Sequence, residues 1–73
     1  MKKAVLFCRG DNELDLKVLH DYAETHKEYI VLPLLFTSEQ DILNSDKVEY
    51  DVILTTNTIY LPIAGIEIIN VNA

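Results

Sequence analysis

A thiol, a guanidinium, a carboxylate and an amide fall together in the stretch FCRGDNE, Phe7 to Glu13. Cys8 offers a nucleophile, Arg9 a cation that would favour its thiolate and stabilise oxyanions, and Asp11 a charge that opposes thiolate formation. The stretch lacks the arginine that follows a phosphatase-type cysteine after five intervening residues. Gly10 stands without the further glycines, or the Lys-Ser/Thr pair, of a nucleotide-binding loop. His20 and His26 do not share the neighbouring spacing of a helical metal pair, so no metal or cofactor is expected. A second polar group, Thr55 to Thr58, includes Thr56 and Asn57 and ends an apolar run. In open α/β sheets ligands favour crevices at the carboxyl ends of strands. Cys8, Arg9, Asp11, Asn12, Thr56 and Asn57 are therefore the candidate ligand or partner loop.

Each of these residues also has a structural task available. Cys8 suits a buried strand position, Arg9 a surface pair with Asp11 or Glu13, and Gly10 a turn. Asp11 or Asn12 can cap a helix, and with Asn12 as N-cap, Asp15 falls at N3 beside unpaired amides. No catalytic residue is assigned on these grounds.

The elements that must position this loop are legible in the hydrophobic pattern. The run AVLFC, Ala4 to Cys8, reads as a central parallel strand covered on both faces. The segment ELDLKVLHDYAETHK carries Leu14, Val18 and Tyr22 on one stripe and Leu16, Leu19 and Ala23 on the next. The combined apolar arc, about 200°, is broader than one-sided burial requires. That breadth makes Leu16, Leu19 and Ala23 a candidate interface for a second copy or another protein. The run EYIVLPLLF, Glu28 to Phe36, is a second strand that lies at an edge or ends near Leu32, because Pro33 cannot donate to a ladder. Thr37 or Ser38 begins a short helix holding Ile42 and Leu43 inward. Tyr50 to Asn57 is a third strand, and Ile66 to Val71 a fourth. Residues 58–65 are too few for an ordinary crossover helix, so an abrupt helical turn or an irregular loop is expected there. The order predicts one α/β domain over residues 1–73, a small, mainly parallel four-stranded sheet with flanking helices.

Composition narrows the function classes. Seventy-three residues with a formal charge of −6 make a small acidic chain, which disfavours binding built on phosphate contacts and so direct nucleic-acid binding. One cysteine allows no intrachain disulfide. No run approaches the roughly 20 apolar residues of a membrane span, and the opening apolar run is too short for a signal peptide. A cytoplasmic protein is expected, with homodimerisation or a protein partner adding to the thin stability margin of so small a core.

The run KKAVLFCRGDNELDLKVLHDYAETHKEYIV, Lys2 to Val31, resembles the opening of serine recombinase catalytic domains of the resolvase and invertase type. In that family basic residues and a strand lead to an aromatic, one residue, an arginine, one residue and the catalytic serine. Phe7 and Arg9 match the aromatic and the arginine, and LHDYAETH, Leu19 to His26, is similar to the end of the family's first helix. YDVILTTNTIYL, Tyr50 to Leu61, is similar in placement to its third strand. The resemblance implies a resolvase-like fold. It departs at the chemistry: Asp11 stands at the nucleophile, Ile59 and Tyr60 stand where the family has an acidic-arginine pair, and Arg9 is the sole arginine. Covalent phosphoryl transfer needs a hydroxyl and cations around the phosphoryl oxygens. The expectation is a noncatalytic binding or regulatory protein, a truncated relative that has lost catalysis. The alternative is a small hydrolase or phosphoryl-transfer enzyme using Cys8 and Arg9.

Overall fold

The computed structural model describes residues 1–10, 12–46, 48–57, 59 and 65–71. Its elements follow the order β1 (Lys2–Phe7), α1 (Glu13–Thr25), β2 (Tyr29–Phe36), α2 (Glu39–Asn44), β3 (Val52–Thr55) and β4 (Glu67–Asn70). The strands form one sheet in the order β2-β1-β3-β4. Every pairing is parallel. The fold is thus a small α/β layer structure, with the sheet wholly rather than mainly parallel. The connection 58–65, apart from Ile59 and Gly65, lies outside the described residues.

Strand β1 has neighbours on both sides, and Ala4, Val5, Leu6 and Phe7 are all buried. A continuous apolar run is what a doubly covered parallel strand requires. Alternation sends Ala4, Leu6 and Cys8 to one face with Val52 and Leu54, and Val5 and Phe7 to the other with Ile53.

Helix α1 covers the first face. Leu19 and Ala23 sit in its core, flanked by half-buried Leu16, Val18 and Tyr22. The broad apolar arc is therefore accommodated by one sheet surface; only Leu14 stands out into solvent. Asn12 is the N-cap, its side chain accepting from the amides of Leu14 and Asp15. At the other end the ring of His26 lies 3.8 Å from that of Tyr22, and its Nδ1 is 2.8 Å from the Tyr22 carbonyl oxygen.

The second face has a smaller cover. Helix α2 contributes buried Ile42, which packs with Phe36 and Tyr50. Ser38 is its N-cap but makes no side-chain cap bond. Asp41 takes that role in reverse, its Oδ2 accepting from the Thr37 amide at 2.9 Å. The hydroxyls of Ser45 and Tyr50, 2.7 Å apart, close the far end.

Strand β2 is an edge, as Pro33 implies, and continues through the proline. Ala4 pairs with Val31 and Leu6 with Leu35, so β2 advances further than β1 and bulges between them. An edge bulge is where a residue lacking a backbone donor is tolerated.

Candidate functional site

The strand-end loop is assembled by main-chain bonds between neighbouring strands. The Cys8 amide donates to the Phe36 carbonyl at 2.8 Å, and the Gly10 amide to Thr37 at 3.4 Å. Gly10 has a φ of 77°, a left-handed turn that glycine adopts without steric cost. The turn carries the chain from β1 to the Asn12 cap.

Among the candidate residues, Cys8, Arg9, Asn12 and Asn57 come together. The Arg9 amide donates to Asn57 Oδ1 at 2.9 Å, joining residues from the ends of β1 and β3. Cys8 is fully buried. Its thiol donates to the Asn12 carbonyl at 3.3 Å and accepts from the Asn12 amide at 3.2 Å. Asp11 lies outside the described residues. Thr56 Oγ1 is buried and finds no hydrogen-bond partner among the described residues. Its neighbour Thr55 Oγ1 accepts from the Asn57 amide at 2.9 Å.

The Arg9 guanidinium holds Glu39 by two contacts, one at 2.6 Å and one at 3.3 Å, and lies 5.4 Å from the Phe7 ring centroid. Glu39 was missed by local reasoning, which sought partners at Asp11 or Glu13. Its position at the start of α2, beside the β1 terminus, depends on strands β1 and β2 being paired. The loop's chemistry is therefore neutralising: a carboxylate occupies the cation, and a buried thiol bonds backbone. Among the described residues no group of three or more His, Cys, Asp or Glu side chains could hold a metal.

The candidate interface residues divide. Leu19 and Ala23 are buried beneath α1, with almost no surface for a partner, whereas Leu16 reaches a groove bounded by His20 and β2. That groove adjoins two further concavities, formed by described residues, around the β2 bulge. The second runs from Leu35 and Phe36 to Asp41, Asp46 and Glu49, and the third from Lys3 across Leu32 and Pro33 to Glu49. Leu34 lines all three. Ile30 is 46% exposed, Leu34 39% and Leu35 40%, large apolar side chains clustered on one edge. Sequence pattern marked β2 as apolar and edge-placed; that its side chains stay uncovered depends on the bulge and on the shortness of α2.

The fold and site define a small all-parallel α/β structure in which Cys8, Arg9 and Asn57 of the polar loop are bonded to their neighbours, beside an apolar edge. No protein-family model, curated protein or solved structure matches the chain. No helix among the described residues is long and apolar enough to cross a membrane.

Proposed function

We propose that this is a noncatalytic cytoplasmic binding or regulatory protein that works by associating with another polypeptide, a second copy or a different chain. The observation that carries the reading is Leu34, 39% exposed at the meeting point of three concavities. Exposed apolar side chains gathered on one edge, Ile30, Leu34 and Leu35, are where a polypeptide partner would gain buried area. The strand-end loop supports the same reading, because its arginine is paired with a carboxylate and its thiol is buried. On the serine recombinase resemblance, such a chain would regulate a full-length enzyme by imitating its domain.

The test is copurification with mass measurement of the bound species, run in parallel on Leu34→Glu and Cys8→Ala. The binding reading expects a stoichiometric companion that Leu34→Glu releases and Cys8→Ala retains. Hydrolysis of a phosphorylated substrate, abolished by Cys8→Ala in a folded protein, would replace it with the enzyme reading. Recovery of a phosphorylated residue covalently joined to DNA would restore recombinase chemistry.

A further inference from the structure

We infer that the open part of the second sheet face receives an amphipathic helix of a different protein, one whose apolar stripe is flanked by Lys or Arg. The inference rests on the binding reading above and names the partner's chemistry. A parallel sheet is stable when helices cover both faces. Helix α1 meets that need on the first face, but α2, six residues long, packs at the Phe36, Ile42 and Tyr50 corner. Tyr29 and Val31 face α1, so alternation turns Ile30 to the opposite side. There Ile30 is 46% exposed, while Leu32, Pro33 and Leu34 floor a concavity that Lys3 and Glu49 border. Ile59 and Ile66 pack against the Ile53 side of this face, whereas Ile30 and Leu34 stay exposed on it among the described residues.

Two observations select the occupant. Strand addition is disfavoured because Pro33 lacks an amide and the register breaks between Ala4 and Leu6, twisting the edge away from a continuous ladder. Helix-in-groove docking needs no such ladder. On the α2 side the adjoining concavity presents the carboxylates of Asp41, Asp46 and Glu49, with no cation among its described lining residues. A second copy brings another −6 of formal charge to this acidic rim, whereas a basic helix complements it.

The probe is a synthetic amphipathic helix of about 14 residues, long enough to hold helical structure, with a leucine stripe flanked by lysines. A matched peptide carries glutamates instead. Titration into the full chain by calorimetry is expected to show saturable binding of the lysine peptide alone, weakening as salt rises. Glu49→Lys is expected to weaken it about fivefold and Leu34→Glu to remove it, with circular dichroism verifying the fold. Equal binding of both peptides, or indifference to Glu49→Lys, would overturn the inference. So would failure of both peptides alongside a dimer in sedimentation that Leu34→Glu dissolves; that outcome keeps the binding reading and makes a second copy the occupant. Failure of both peptides, a monomer in sedimentation and no copurifying companion would remove the binding reading as well.

Discussion

The Arg9 guanidinium holds the Glu39 carboxylate side-on, Nη2 to Oε2 at 2.6 Å and Nε to Oε1 at 3.3 Å. The contact ties the end of β1 to the first turn of α2 and places a carboxylate where an anionic substrate would seek the guanidinium. Both side chains are partly exposed, at 39% and 26%, so solvent screens the pair. Arg9→Ala is expected to lower unfolding stability by up to about 1 kcal/mol, measured by urea denaturation. A loss above about 3 kcal/mol would show a contribution beyond that of a partly exposed ion pair.

Asn12 accepts from two otherwise orphan amides, those of Leu14 and Asp15, at 2.9 and 3.3 Å. Asn12→Ala is expected to cost about 1 kcal/mol, and Asn12→Asp to preserve most of the stability because a carboxylate also caps and complements the helix dipole. Thermal melts of the two variants should differ by about 4–8 °C for each kcal/mol separating them. Equal melting temperatures would remove the cap from the account.

Cys8 is buried with its sulfur bonded to Asn12. Labelling by a thiol reagent is expected to be slow in the native protein and immediate in denaturant, since reaction must await local or global opening. A native rate equal to the denatured one would identify an accessible thiol and revive the enzyme reading.

Thr55 and Thr56 invite opposite outcomes from the same substitution. Thr55 Oγ1 accepts from the Asn57 amide at 2.9 Å, so Thr55→Val leaves a donor without its partner and is expected to cost about 1–3 kcal/mol. Thr56 Oγ1 is buried without a hydrogen-bond partner among the described residues, so Thr56→Val is expected to be neutral or stabilising. Chemical denaturation of both variants compares them directly. Marked destabilisation by Thr56→Val would point to a hydrogen bond at that hydroxyl.

Alkaline pH is expected to weaken the fold. Lys2 has its pKa raised chiefly by its hydrogen bond and then its charge interaction with Glu67, and Tyr29 has its pKa raised chiefly by desolvation. For both, the folded state holds the proton more tightly than the unfolded state. Their linkage contribution is fully present below the unfolded pKa, about 10 for both side-chain types, and is lost as pH rises through the folded values. Tyr29→Phe should flatten part of that decline in denaturation midpoints measured from pH 8 to 11. An unchanged slope would exclude Tyr29 from the linkage.

The sequence alone determined the features that depend on near neighbours along the chain. Five apolar residues in a row, Ala4 to Cys8, marked β1 as central, the spacing from Leu14 to Ala23 marked α1, and Asn12 ahead of Asp15 marked its start. Pro33 placed β2 at an edge because a residue without an amide cannot serve two neighbouring strands. Tertiary structure decided what depends on residues far apart in sequence. The Arg9 pair with Glu39 exists because β1 and β2 align the two ends, and Leu19 and Ala23 are buried because a sheet surface accepts the helix's broad apolar arc. The Arg9 amide in the opening loop is satisfied for the same reason: Asn57 arrives from the end of β3 to accept from it. The exposure of Ile30 and Leu34 could not be read from an apolar run, since burial depends on what packs above it, and α2 is too short to cover the whole face.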